Sequence, residues 1–219
     1  MISVQGSDFN MARLLHLSSS PRGDHSHTRK VATAFLDAYR NAHPSDEVRE
    51  IDLWALSIPP FDGAVLDAMY AIFGGLAHTP EQHAAWGAVK ALASEFKSAD
   101  KILISVPMWN FGIPYVLKHY IDVITQPGLT FSFNPATGYS GLVTGRPATV
   151  IQSSSGTYLP GSGAEGSDFL TGYLKTWLGF IGFTDIRSLA IAPTATDADT
   201  LSGIEERAVN DAKESAHTF

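Results

Sequence analysis

A chain of 219 residues that is 44% hydrophobic and 17% charged can bury a full core without covalent staples, and it contains no cysteine. That composition excludes disulfides, thiolate metal sites and a cysteine nucleophile, so any redox chemistry must come from a bound group. A formal charge of −7 at pH 7 with no local Lys/Arg cluster argues against a nucleic acid partner, and no apolar run approaches the roughly 20 residues of a membrane span. Residues 1–10 lack the basic start and apolar middle of a signal peptide, so a cytoplasmic location is expected. They read as an unstructured extension or a cloning remnant ahead of one domain over residues 11–219.

In chain order, the apolar run Leu14-Leu15-His16-Leu17 predicts a first strand, and the loop Ser18-Ser19-Ser20-Pro21-Arg22-Gly23 follows it. Thr28 opens a helix with Val31, Phe35 and Tyr39 at helical spacing. Residues 48–53 give a second strand, ended by a loop around Ile58, Pro59 and Pro60, since neither proline can continue a ladder. Thr79 as N-cap, Pro80 at the first helical position and Gln82 three residues after the cap start a helix whose Trp86, Val89, Ala93 and Phe96 form one stripe. The run Ile102-Leu103-Ile104-Ser105-Val106 is apolar without alternation, as a central parallel strand covered on both faces requires. Pro114 sits in the first turn of a helix with Leu117, Tyr120, Ile121 and Ile124 on one face. Residues 149–152 supply a fourth strand. Ser167 caps a helix with Phe169, Tyr173, Trp177 and Ile181 as its stripe, residues 184–191 supply a fifth strand, and a helix over 201–216 closes the chain.

Five strands alternating with helices predict an α/β three-layer sandwich: a five-stranded parallel sheet with helices on both faces, in the flavodoxin-like order 2-1-3-4-5. Such sheets bind ligands beyond the carboxyl ends of their strands at the switch point, here between strands one and three. The loops after Leu17, Val106 and Gln152 therefore carry the site.

The first loop offers Ser20, Ser26 and Thr28 beside a helix N-terminus, whose free N–H groups and positive dipole end suit a phosphate; the same residues also serve ordinary capping and turns. The loop is neither a Walker motif nor a dinucleotide fingerprint. The second, Pro107-Met108-Trp109-Asn110-Phe111-Gly112, sets aromatic rings, a thioether and an amide at the end of the central strand, which suits an isoalloxazine ring or, alternatively, a satellite core. The third, Ser153-Ser154-Ser155-Gly156, offers small residues, and Gly156 permits close approach or positive φ. His16 reads as a strand residue, and His25 and His27 as loop residues rather than metal ligands, because no third ligand stands at useful spacing. No metal site is expected.

Together these segments resemble the FMN-dependent NADH azoreductases, which are also NAD(P)H:quinone reductases. The resemblance runs from about residue 11 to near the C-terminus. Its most specific part is Pro107 to Phe111 with Ile113-Pro114, supported by Leu178-Gly179-Phe180-Ile181-Gly182 and the first serine loop. It implies an FMN phosphate site at Ser20, Ser26, His27 and Thr28, a flavin edge at Met108, Trp109, Asn110 and Phe111, and a third FMN loop at Ser153, Ser154, Ser155 and Gly156. Two positions depart from the family pattern: Ser154 stands where an arginine is frequent, and Trp109 where a tyrosine is common. The resemblance further implies NADH or NADPH as hydride donor, azo compounds and quinones as acceptors, and a homodimer with its sites at the interface. The insertion over 126–145, with Phe131 and Phe133, becomes a substrate wall, and Phe180 reaches across from the second subunit.

The expected reaction is ping-pong, hydride passing from NAD(P)H through flavin N5 to the acceptor, with Trp109 and Phe111 stacking and no catalytic acid or base from the protein. Two other classes compete. A flavodoxin-type electron carrier would present a strongly acidic docking face, whereas the acidic residues here are dispersed. A serine esterase would need a Gly-x-Ser-x-Gly elbow, which the chain lacks.

Overall fold

The computed structural model describes residues 11–77 and 79–219. The extension expected over residues 1–10 lies outside the described residues. In chain order, β1 (Arg13–Ser18) leads through a 3-10 turn (Gly23–His25) into α1 (His27–Ala42), and β2 (Glu47–Asp52) is followed by α2 (Gly63–Phe73) and α3 (Pro80–Ser98). Next come β3 (Lys101–Pro107), α4 (Tyr115–Ile124), a hairpin of β4 (Phe131–Asn134) and β5 (Gly138–Gly141), and β6 (Pro147–Ser153). The last elements are α5 (Phe169–Ile181), β7 (Asp185–Ile191) and α6 (Ala198–His217).

The five long strands pair in parallel in the order β2-β1-β3-β6-β7, which is 2-1-3-4-5 once the separate β4-β5 hairpin is set aside. Successive side chains of β3 explain its unbroken apolar run. Ile102, Ile104 and Val106 pack with residues of α3, α4 and α5, while Leu103 packs on the other side with α1 and α6. A strand buried on both faces has no solvent side on which to place polar residues.

The Thr79 start signal is realised as a reciprocal capping box, Gln82 N donating to Thr79 Oγ1 at 3.2 Å and Thr79 N donating to Gln82 Oε1 at 2.9 Å. Its stripe of Trp86, Val89, Ala93 and Phe96 is buried.

The structure differs from expectation in several places. The segment after Pro60 contains α2, capped by Asp62, whose carboxylate accepts from the N–H groups of Ala64 and Val65 at 3.1 and 3.3 Å. Val65 and Ala68 pack against Trp86, Val89 and Val123, so tertiary contact stabilises a helix whose own apolar pattern is short. Helix α1 starts one residue before Thr28, with the Ser26 hydroxyl accepting from Arg29 N at 3.2 Å. Helix α5 is capped by Asp168 rather than Ser167. The Asp168 carboxylate accepts from Leu170 N at 3.1 Å, Thr171 N at 2.8 Å and the Thr171 hydroxyl at 2.5 Å, more than a serine hydroxyl could offer. The buried stripe is accordingly Leu170, Leu174, Trp177, Leu178 and Ile181; Phe169 is 63% exposed and Tyr173 half-buried.

Candidate functional site

The three loops converge at the carboxyl ends of β1, β3 and β6, and backbone bonds tie them into one rim. Ser19 donates from both its N–H and its hydroxyl to Ser105 O at 3.0 Å, and Met108 N donates to Ser153 O at 2.7 Å. The loop after β7 braces the third loop, with Thr194 N donating to Ser154 O at 2.9 Å and Ala195 N to Ser155 O at 3.1 Å. From the end of β2, Trp54 Nε1 donates to Ser19 O at 2.9 Å.

This rim encloses a cavity of about 180 Å³. Of the expected residues it brings together Ser20, Ser26 and His27 from the first loop, Met108 and Trp109 from the second, and Ser153, Ser154 and Ser155 from the third. Arg22, Pro107 and Thr194 complete the lining. In a chain of net charge −7 no carboxylate lines this cavity; six hydroxyls, an imidazole and a guanidinium do. It opens over the N-terminus of α1, whose first N–H groups point outward along the helix axis. The donor set therefore suits a phosphate ester. His25 lies in the 3-10 turn, exposed.

Trp109 lines a second, larger cavity as well, a groove of about 1300 Å³ between the exposed faces of α4 and α5. Asn110 lies at its mouth, Tyr115, His119 and Asp122 line it along α4, and Phe169, Tyr173 and Thr176 along α5. Burial, with the Asp122 charge adding, pushes the Tyr173 hydroxyl up to about 12, so it is a neutral donor at physiological pH. His119 is held by its Nε2, 2.9 Å from Pro59 O.

The loop that joins the two cavities is a tight turn. Trp109 and Gly112 exchange both backbone hydrogen bonds, at 2.9 and 3.0 Å, and the two residues between them, Asn110 and Phe111, have φ of 47° and 71°. Positive φ at both central residues is the pattern of a type I′ turn. For a phenylalanine that region is strained, at a cost of about 1–3 kcal/mol, and such strain persists where surrounding bonds enforce it. Here Phe111 O also accepts from Phe169 N at 3.0 Å.

Several expected residues fall elsewhere. Phe111 lines neither cavity; its ring is half-exposed and meets Tyr158 edge-on, with centroids 6.3 Å apart, so it does not stack over the site with Trp109. The ring beside Trp109 is instead Trp54, at 5.8 Å, which in turn meets Tyr115 at 5.2 Å. The Thr28 side chain is fully buried under the rim, 3.1 Å from Ser26 Oγ. Gly156 is not at positive φ; its carbonyl accepts from the Ser154 hydroxyl at 2.8 Å, and a methyl there would only touch the Tyr158 ring. Phe131, Phe133 and Phe180 line neither cavity of their own chain. With Tyr139 they form a cluster on the hairpin and the far end of α5, Phe131 half-buried and the others exposed, with Phe131 and Phe180 at 4.8 Å and Phe133 and Tyr139 at 4.9 Å.

Trp54, Arg22 and Thr194 were not anticipated. Each had one faint signal in the sequence: an aromatic just past the end of β2, the single cation of the first loop, and a hydroxyl just past the end of β7. Among the described residues no group of three or more His, Asp or Glu side chains is placed to hold a metal ion, and no helix is long and apolar enough to cross a membrane.

The profile of the flavodoxin-like fold matches residues 12–215. An FMN-dependent NADH:quinone oxidoreductase from Nitratidesulfovibrio vulgaris is 47% identical over 210 residues, covering 95% of this chain and all of that protein. FMN-dependent NADH:quinone oxidoreductase 9 from Burkholderia lata is 42% identical over 212 residues, with the same coverage of 95% and 100%. The crystal structure of an FMN-dependent NADH-azoreductase from Bacillus anthracis in complex with FMN superposes with a TM-score of 0.86 at 29% identity, covering 94% of this chain and 98% of that one. The chain belongs to the flavodoxin-like fold family and, within it, to the group formed by the FMN-dependent NADH:quinone oxidoreductases and azoreductases.

Proposed function

We propose that the protein is an FMN-dependent NAD(P)H oxidoreductase that reduces quinones and azo compounds. The observation that carries this reading is the junction of the two cavities. A hydroxyl-lined, carboxylate-free pocket over a helix N-terminus opens past Trp109 into a large, mainly apolar groove, so a ligand with an anionic tail and a flat ring fits the first and presents that ring to the second. Ser20, Ser26, His27 and Arg22 take the phosphate, and the hydroxyls of Ser153, Ser154 and Ser155 follow toward the ring. Trp109 walls the ring, and Asn110 with the surrounding backbone N–H groups meets its polar edge. FMN held there by these residues would supply the redox chemistry, accepting hydride from NADH or NADPH and delivering it to the acceptor. The protein's own contribution is orientation and exclusion of water: donor and acceptor use the same groove in turn, the one that Trp109 shares with the small cavity.

The groove is also an interface. Phe169, Tyr173, Thr176 and Phe180 follow one another at helical spacing, so the groove face of α5 runs on into the hairpin cluster, about 16 Å along the axis from Phe169. A second copy docked with its α5 antiparallel brings its Phe131, Phe133 and Phe180 to the Trp109 end of the first groove, and the twofold repeats the contact at the other end. The active unit is therefore a homodimer, in which each subunit supplies the substrate wall of the other. A cytoplasmic location accords with its use of a soluble pyridine nucleotide.

The test is an absorbance spectrum of the purified protein followed by anaerobic NADH, then menadione or methyl red. Flavin bands bleached by NADH and restored by either acceptor support the reductase, and steady NADH oxidation with menadione separates it from an electron carrier without an organic substrate. A protein that neither carries flavin nor retains added FMN overturns the reading.

A further inference from the structure

Where a cradle holds a phosphate through an imidazole, the ring must point a protonated nitrogen at the ligand. His27 lines the small cavity at the first position of α1, and its Nδ1 lies 2.6 Å from Glu205 Oε1 on α6. Glu205 is 14% exposed, and its other oxygen accepts from Lys30 Nζ at 2.5 Å. A carboxylate can only accept, so Nδ1 carries the proton in this pair, and Nε2, on the other side of the ring, is the nitrogen left for the cavity. The contact spans 178 residues and joins the last helix to the cofactor loop.

We infer that Glu205 is a positioning residue for the cofactor phosphate: it fixes the His27 ring with Nδ1–H bound to α6 and Nε2 facing the phosphate, so that the ring, taking a second proton as the dianionic ester binds, donates from Nε2 as an imidazolium held between two anions. This rests on the phosphate-cradle reading above and deepens it. The charged groups around His27 fit the role. Arg22 faces the same cavity from the loop, Lys30 on α1 balances the Glu205 charge, and among the described residues no second carboxylate pairs with His27 or Lys30. Although burial pushes it up, the Glu205 carboxyl is held below its ordinary value by hydrogen bonds from Lys30 and His27. It is therefore ionised wherever FMN binding is measured. An exposed ion pair alone would bind nothing, but this one is largely withdrawn from solvent and aims a third group.

The experiment measures dissociation constants for FMN and riboflavin on the apoprotein by flavin fluorescence. Its five proteins are the unmodified chain, Glu205→Ala, Glu205→Gln, His27→Gln and the Glu205→Ala/His27→Gln double variant, alongside long-range 1H–15N spectra of the imidazole. Riboflavin lacks the phosphate, so its affinity controls for damage to the ring site. Glu205→Ala is expected to weaken FMN by about fivefold or more while changing riboflavin less than about twofold, and to have little further effect once His27 is Gln. The spectra should give protonated Nδ1 in the unmodified protein and a tautomer mixture in Glu205→Ala. Glu205→Gln keeps an acceptor for Nδ1–H and should preserve the tautomer. Equal losses of FMN and riboflavin affinity, additive effects of the two substitutions, or an unchanged tautomer in Glu205→Ala would overturn the inference while leaving the cradle intact. An unmodified protein that binds FMN no better than riboflavin would instead remove the cradle itself.

Discussion

Gly141 is the position where one added carbon should separate the hairpin from the rest of the molecule. A Cβ built there lies 2.3 Å from Ile181 C, 2.4 Å from Gly182 N and 2.5 Å from Gly182 Cα. These are backbone atoms at the end of α5, which no rotamer change can move aside. Carbon–carbon contact is comfortable at about 3.5 Å, so the hairpin must withdraw by roughly 1 Å. The bond from Val143 N to Ile181 O, now 2.9 Å, does not survive such a shift. Overpacking of this kind costs about 1–3 kcal/mol, and the broken bond adds about 1 kcal/mol, so Gly141→Ala should destabilise by about 2–4 kcal/mol. For a domain of this size that corresponds to a fall of roughly 5–15 °C in the melting temperature of the apoprotein. The same shift parts Phe131 and Tyr139 from Phe180, now 4.8 and 5.6 Å apart. Sedimentation and FMN titration then separate stability from function. The cofactor cavity stands at the opposite end of the sheet and should keep its affinity, whereas dimerisation and turnover should both fall. A melting temperature within about 2 °C of the unmodified protein would refute the packing argument. Intact folding with full turnover from a monomer would refute the role given to the aromatic cluster.

Three further substitutions test other links. Trp109→Ala removes the wall shared by both cavities and its contact with Trp54, and should weaken FMN by roughly threefold to tenfold in a fluorescence titration, with Trp109→Tyr recovering most of the loss. Asp168→Ala deletes the α5 cap and should cost about 1 kcal/mol in a urea melt; an unchanged midpoint would mean that the Ser167 hydroxyl takes over. Glu50 tests pH dependence. The hydrogen bond from His16, 3.4 Å away, followed by that from Arg40 at 2.7 Å, holds its carboxyl down at about 2 against the opposing effect of burial. Because the folded value is depressed, its stabilisation is fully present above the unfolded value of about 4.5 and is lost as pH falls through about 2. Half the side chain is exposed, so the effect is screened to less than about 1 kcal/mol, and Glu50→Gln should flatten the slope of stability against pH only within that window. A difference in slope above pH 6 would be inconsistent with this assignment.

The sequence disclosed the sheet because its information there is local. Val106 and Gln152 end apolar runs, and the residues just beyond them must lie at one end of a parallel sheet whatever the helices do. For the same reason eight of the predicted binding residues meet in one cavity. The errors have a common form: they concern direction rather than position. The run Trp109-Asn110-Phe111 suggests a stacking ring at Phe111, but a turn with positive φ at both central residues directs that ring away from Trp109, and φ cannot be read from Asn-Phe. Phe169 was placed in a buried stripe because the helix was started at Ser167; capping by Asp168 turns Leu170 inward in its stead. Helix α2 and the hairpin escaped because each owes its stability to a partner far along the chain: Trp86 and Val123 for α2, and the Gly182 end of α5 for the hairpin.

The same distinction divides the site. The small cavity proposed to grip the cofactor is assembled from strand ends and one helix start, so its lining is complete within one chain and supported by β1, β3 and β6. In the proposed reading the substrate half is the groove, and the aromatics assigned to its wall, Phe131, Phe133 and Phe180, lie on the same chain but do not line it. In the proposed dimer, association brings the two together. Glu205 belongs to the first half although it lies on the last helix, because its bond to His27 is made within the subunit. Loss of Glu205 should therefore act on cofactor affinity at any protein concentration, while damage to the hairpin should act on turnover in a concentration-dependent way. If the proposed dimer holds, a cofactor cradle inside the subunit joined to a substrate wall supplied from outside it predicts that substitutions of the hairpin aromatics change acceptor preference without changing FMN affinity.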